Sequence, residues 1–419
     1  MGRYLIGWNR QGLRWLVPAF ATLAFAGPVC AEAPAWTPVD VSTGRLSSID
    51  ELQALVGKFP DSASVRLRLL NAYLDAGRRA DAAQAAADLI ERGYVFSPRA
   101  QEMLLGLDPT DTQLAVFGLQ EVRGQPVEAS QTQTSLPADA QLVEGVALDR
   151  RSGRLFASTI VSRGLFEIDR EGHFRRVPLE KPGSLAGMAL DDARRTLWVA
   201  SGKYDQTPAA DPGEPGIIGL NLETGQSARK VPPEGASLGD IALAPDGTLY
   251  ASDPVSGAIY FAGPQLWQLW PLVEPGTFRS PQGVVPWEGG LIVSDYAYGL
   301  AFVDSAGRAH RIEAASPMLL DGIDGMWRHG NDIIAVQNGV RPARIVKLTM
   351  SRDGRRVTAL RVLERAHSAW TEPVGGSLVG DDLIYVATGQ WDRFGDGGVP
   401  STDNPPAPTE IRILPLNGR

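Results

Sequence analysis

Oxygen-bearing side chains recur at one point of a repeated motif in this 419-residue sequence. Glu144 precedes Gly145-Val146, Gln282 precedes Gly283-Val284 and Asp324 precedes Gly325-Met326, while Asp240 stands between Gly239 and Ile241. Carboxylates and an amide gathered in one place suit a hard divalent cation, calcium above all, which takes about six to eight oxygen ligands. Such an ion polarises a carbonyl and lowers the pKa of a water, as ester or lactone hydrolysis requires. An acid before a glycine also favours a tight turn whatever its function, so that reading stands beside the chemical one. Later in the chain, His367 and Glu372 are spaced as a candidate acid–base pair. Trp370 and Trp391 offer flat faces to a ring or pack between elements. Asn338 and Arg341, with Arg344 nearby, would hold an anionic substrate or pair with local acids. Gly235-Ala236-Ser237-Leu238-Gly239 has the spelling of a nucleophile elbow. That elbow needs a strand before it and a helix after it, whereas Pro232-Pro233 precedes this one and an apolar strand follows.

These residues need a frame, and the repeat supplies it. From residue 141 a unit recurs: a short apolar strand after a glycine, a turn, then a second strand. The second strands are Leu155–Ser158, Leu197–Ala200, Leu249–Ser252, Leu291–Ser294, Ile333–Val336 and Leu383–Val386. A period of about 40–50 residues is that of a four-stranded propeller blade, so the fold class is mainly β, a six-bladed β-propeller over 141–416. Strands that run up and down place the loop before the innermost strand and the loop joining strands two and three on one face. Glu144, Asp240, Gln282, Asp324 and Glu372 are thus expected around one mouth of the channel with Asn338, Arg341 and Trp391, and a small-molecule ligand is expected there. The sixth unit lacks a fourth strand, and an open edge exposes unpaired backbone groups. The apolar run within 112–121 is the expected closing strand, inside a polar connector spanning 107–140.

The segment ahead of the ring reads differently. Residues 1–31 have the form of an export signal: Arg3, Arg10 and Arg14, an apolar run, then Val29-Cys30-Ala31. Export, with the periplasm as the expected compartment, follows from it. Removing it takes three arginines and no acid, leaving 37 basic against 48 acidic residues. An acidic surface repels nucleic acid and anionic lipid, and neither is an expected partner. Cys30 is the only cysteine, so neither a disulfide nor a thiolate metal site is available to the remainder. Within 32–106, Leu67, Leu70, Tyr73 and Leu74 share a helical stripe ending at Gly77, and Ala82, Ala83, Ala86, Leu89 and Ile90 a second ending at Gly93. With Ala72 and Pro98 this pattern resembles a tetratricopeptide-type helix pair. One such pair cannot bury its own face, so it should pack on the ring or on a protein partner.

Glu144-Gly145-Val146, Gln282-Gly283-Val284, Asp324-Gly325-Met326 and the turn Ala244–Tyr250 followed by Ser252-Asp253 resemble the SMP-30/gluconolactonase/LRE-like family of six-bladed propellers. The resemblance implies a divalent metal held at Glu144, Gln282 and Asp324, with Asp324 also serving hydrolysis of a lactone or small ester. It departs from the family pattern at two points, because Gln282 replaces an asparagine and Gly239 stands where a substrate-contacting asparagine is usual. The longer amide shifts the metal cage. A metal-assisted hydrolase and a non-catalytic propeller that binds a ligand or protein through the same face are both compatible with this sequence.

Overall fold

The structure, a computed structural model, describes residues 34–210 and 212–417, so the predicted export signal lies outside the described residues. Six blades follow one another around a ring, antiparallel but for the short outer strand Glu313–Ala314 that pairs in parallel on the fifth. The first consists of Val143–Asp149, Arg154–Thr159, Leu165–Ile168 and Phe174–Val177. The innermost strands of the next five are Ser184–Asp191, Ile241–Leu243, Pro281–Trp287, Met326–His329 and Gly376–Val379. Each touches the next, and the last touches the first. The second strands, such as Leu155-Phe156-Ala157-Ser158, are buried on both faces because every blade packs between two others. That is why they read as continuous apolar runs rather than alternating ones.

The ring closes with a strand from the N-terminal side, but not the expected one. Gln131–Leu136 pairs antiparallel with Thr409–Pro415 as the outermost strand of the sixth blade, with Leu136 opposite Thr409 and Gln131 opposite Ile413. Only Leu136 is buried in it, so its polar sequence hides its role. The chain just ahead is pinned in a buried network. The Glu364 carboxylate accepts from the Ala129 and Ser130 N–H groups at 2.8 and 2.6 Å and from the Tyr385 hydroxyl at 2.8 Å. The Arg412 guanidinium donates to the Ser130 carbonyl at 2.8 Å.

Residues 112–121 are helical instead. Five helices precede the ring: α1 (Ile49–Lys58), α2 (Ala63–Asp75), α3 (Arg79–Glu91), α4 (Pro98–Leu105) and α5 (Asp111–Arg123). The expected helix pair is α2 and α3, and the expected connector of 107–140 contains α5 and, further on, the closing strand Gln131–Leu136. Thr110 and Gln113 form a reciprocal capping box that starts α5, and Phe117 and Gln120, one turn apart, are its buried residues. The alternation of the apolar run suits a strand, whereas its burial follows the helical period.

This helical arm is docked by matching helix ends to charges on the fifth blade. The Asp321 carboxylate, wholly buried, accepts from the Ala63 and Ser64 N–H groups at 2.9 Å each, at the positive end of α2. At a negative end, Arg365 of the fifth blade donates to the Val122 carbonyl of α5 at 3.0 Å, while within the arm Arg123 of α5 donates to the Ile90 carbonyl of α3. Phe278, Trp36, Phe59 and Tyr298 meet ring to ring in edge-on and tilted contacts that add an apolar seam. Replacing Asp321 with alanine strands two buried N–H groups, at an expected cost of about 1–3 kcal/mol. Limited proteolysis of Asp321→Ala should cleave first within 34–125 while the ring stays resistant; cleavage unchanged from the parent protein would contradict this docking.

Candidate functional site

One end of the channel opens into a cavity of about 700 Å³. Glu144, Asp240, Gln282, Asp324, Asn338, Glu372 and Trp391 all line it, so seven of the sequence-predicted site residues come together. The backbone accounts for two of them directly. Strand register slips between Val143 and Gly145 and again between Pro281 and Val284, so Glu144 and Gln282 each sit in a bulge at the start of an innermost strand. Bulges re-aim side chains, and here they deliver an acid and an amide to the mouth. The glycines that follow answer crowding at the axis. A Cβ at Gly145 would lie 3.0 Å from Ser158 Oγ and 3.1 Å from the Ala186 carbonyl, and one at Gly283 would lie 3.0 Å from Met326.

Four enclosed carboxyl groups share this space, and the exposed Asp205 also lines it. Glu144 accepts from the Trp391 indole N–H at 2.8 Å. Asp324 accepts from the Asn338 amide at 3.0 Å, and that amide is in turn fixed by the Tyr296 hydroxyl, which donates to it at 2.9 Å. Asp240 accepts from the Ile241 N–H at 2.9 Å. The Glu372 carboxylate has no hydrogen-bond or ion-pair partner among the described residues. Gln282 donates to Ser280 Oγ at 3.2 Å, leaving its carbonyl oxygen free to ligate. Each acid keeps some accessible area because the cavity reaches it, yet the ring encloses it and removes most of its water. Burial accordingly raises all four pKa values: Asp240 and Glu372 to about 7, Asp324 to about 6, and Glu144 well above the usual range. Asp324 adds to the rise at Glu144, Glu372 and Asp240, while the Trp391 hydrogen bond opposes it at Glu144.

The two long insertions meet over the first blade. The Gly397 N–H, in the insertion after the sixth blade's second strand, donates to the Asp205 carbonyl of the second blade's insertion at 2.7 Å. Trp391 stands edge-on to Tyr204 at 6.3 Å, and the Tyr204 hydroxyl donates to the Leu238 carbonyl. Tyr204, Tyr296 and Trp327 also line the cavity and are functional candidates that the residue patterns alone did not single out. The aromatic pair Tyr296 and Tyr298 in a loop of the mouth face was the available signal.

Two predicted site residues lie elsewhere. His367 is buried, accepts from the Ala369 N–H at 3.0 Å and stacks on Trp370 at 5.6 Å, outside the cavity lining. The chain reverses at Ala366, with a φ of 46°, and turns His367 toward the Glu364 network, so it does not pair with Glu372. Arg341 is exposed, and its carbonyl accepts from the Val95 N–H of the arm at 2.8 Å, away from the mouth. Arg344 is likewise buried beside Gly93, its guanidinium donating to Gln337. Ser237 donates to the Lys203 carbonyl at 2.6 Å and accepts from the Lys203 N–H, so it braces the insertion rather than standing on an elbow.

The donor set fits a hard cation by chemistry: carboxylate and amide oxygens, with no thiolate or imidazole among the lining residues. The acids are spread around the mouth. Among the described residues, the one group of three acid or histidine ligand atoms within 4.8 Å is Asp169, Glu171 and His173 on an exposed turn. An ion at the mouth would therefore be held by two acids with amide and water rather than by a tight triad.

No protein-family profile and no curated protein matches the sequence. Solved structures do. A calcium-binding regucalcin from Agrobacterium tumefaciens shares 17% identity, covering 68% of this chain and 95% of its own, with a TM-score of 0.46. A gluconolactonase-like protein shares 15% identity, covering 70% and 93%, with a TM-score of 0.46. An aldose sugar dehydrogenase from Streptomyces coelicolor shares 14%, covering 69% and 99%, with a TM-score of 0.44.

Raised carboxyl pKa values make stability depend on pH in a definite sense. Between about pH 4 and 7 the folded protein holds protons on Asp240, Asp324 and Glu372 that the unfolded chain releases. Stability in EDTA should thus be greatest below pH 4 as far as these groups are concerned and fall as pH rises toward 7. Thermal unfolding of Asp240→Asn and Glu372→Gln against pH checks this: each should flatten the decline relative to the parent protein, and an unchanged slope contradicts it.

Proposed function

We propose that the mouth of the channel is the active site of a divalent-cation-assisted hydrolase acting on a lactone or small ester. The observation that carries the reading is the confinement of Glu144 and Asp324 in one cavity, each anchored by a neutral donor. Two enclosed acids, of which Asp324 raises the pKa of Glu144, are costly to ionise together unless a cation stabilises both charges. Calcium is the preferred ion for a site of oxygen donors only. Glu144, Asp324 and the Gln282 carbonyl would hold it, and when bound it supplies Lewis-acid polarisation of the substrate carbonyl. Each oxygen left unengaged by Trp391 and Asn338 is available for that role. The motif resemblance at Glu144 and Asp324 agrees with this assignment.

Glu372 is suited to the proton transfers, because it is not needed as a ligand and its pKa lies near neutrality. As a carboxylate it takes the proton of the attacking water while the new C–O bond forms. It then returns that proton to the alkoxide oxygen as the ring or ester C–O bond breaks. Asn338 and Tyr296 hold Asp324 in place, and Trp391 holds Glu144. His367 has no part in these steps.

Calcium should raise the melting temperature of the purified protein at pH 7, and Asp324→Asn should abolish that rise together with lactone turnover. A calcium response retained in Asp324→Asn sinks the ligand assignment, and turnover that survives EDTA sinks the metal mechanism. Glu372→Gln should keep calcium binding and lower kcat by about 10²–10⁴-fold. Trp391→Phe removes the donor to Glu144 but preserves the ring; an outer-shell loss of this kind weakens metal affinity about 10–100-fold. Calcium titration of that variant, read by thermal shift, is the corresponding measurement.

A further inference from the structure

The charge count at the mouth says what kind of ligand enters it. Beyond Glu144 and Asp324 the cavity presents two more enclosed carboxylates, Asp240 and Glu372, and each has oxygen that no protein group engages. The sole cationic side chain lining the cavity among the described residues is Lys203, and it is exposed at the rim. A divalent cation at Glu144 and Asp324 would balance those two, whereas Asp240 and Glu372, when ionised, have no cationic side chain beside them with or without the ion. Aromatic surface accompanies the surplus, since Tyr296 and Trp327 line the same cavity. Carboxylates bind an ammonium through charge-assisted contacts, and aromatic faces attract it through the ring quadrupole. An anionic ligand would meet like charge throughout.

We infer that the cavity selects a compact organic cation, with Asp240 and Glu372 facing its positive group and the aromatic wall packing against it. This deepens the hydrolase reading by naming the substrate class, a lactone or ester that carries an ammonium group, and its binding arm is independent of that reading. Choline and 3,3-dimethylbutan-1-ol are the probes, because they have the same shape and differ in charge at every pH. Isothermal titration of the full mature chain with each, in calcium and in EDTA, should show choline binding about tenfold or more tightly than the alcohol. The preference should weaken at high salt, and Asp240→Asn and Glu372→Gln should each reduce choline affinity while leaving the alcohol unaffected. Equal affinity for the two probes, binding of neither, or a preference unchanged in both variants overturns the inference. Calcium-dependent lactone turnover without choline preference would remove the inference and keep the hydrolase. Choline preference in EDTA with no turnover under any condition would do the reverse.

Discussion

Everything described above depends on one pairing: Gln131–Leu136 against Thr409–Pro415, which turns a curved row of blades into a closed ring. A row would leave the sixth blade with an unpaired edge and the channel with a gap. Closure makes the innermost strands mutual neighbours on both sides, and that fixes the mouth residues relative to one another. The Glu364 network reinforces the join, since one buried carboxylate gathers the chain before the closing strand, the Tyr385 hydroxyl and the loop carrying His367. Its hydrogen bonds satisfy the acid, so its burial serves cohesion rather than chemistry.

The contrast with the mouth is instructive. Asp321 and Glu364 are wholly buried acids that accept several hydrogen bonds each, and they join parts of the molecule. Asp240 and Glu372 are enclosed acids with unengaged oxygen. Stability alone gives no reason to crowd such groups, because each adds to the desolvation cost of the others. A rigid ring tolerates the crowding where a flexible loop would move apart. The two insertions extend that rigidity outward, for the loop from which Trp391 reaches Glu144 is tied to the second blade's insertion by the Gly397–Asp205 hydrogen bond.

The ring was legible in the sequence because each blade repeats a strand buried on both faces, and because glycine recurs where innermost strands converge. The clustering of Glu144, Asp240, Gln282, Asp324 and Glu372 followed from topology without knowledge of any side-chain direction. The closing strand was hidden, since an outermost strand with one buried residue carries almost no apolar signal. Residues 112–121 drew attention away from it, although Thr110 and Gln113 announce a helix start three residues apart. His367 was misplaced for a different reason. Its loop leads to the mouth, but a positive φ at Ala366 reverses the chain first, and local reversals of that kind leave no periodic trace. For Trp391 the sequence offers a face for a ring or packing between elements, whereas its indole N–H bonded to Glu144 is a relation between distant residues that spacing cannot express.

The closing strand also has a consequence for how the molecule is made. Its partner is nearly the last strand of the chain, so residues 131–136 stay unpaired while almost the whole propeller is synthesised. Contacts of such sequence separation form late, because loop closure must be overcome before they repay it. The five blades between can each assemble from local hairpins as they emerge. The mouth, whose residues come from blades at both ends of the chain, takes shape only when the final strand arrives.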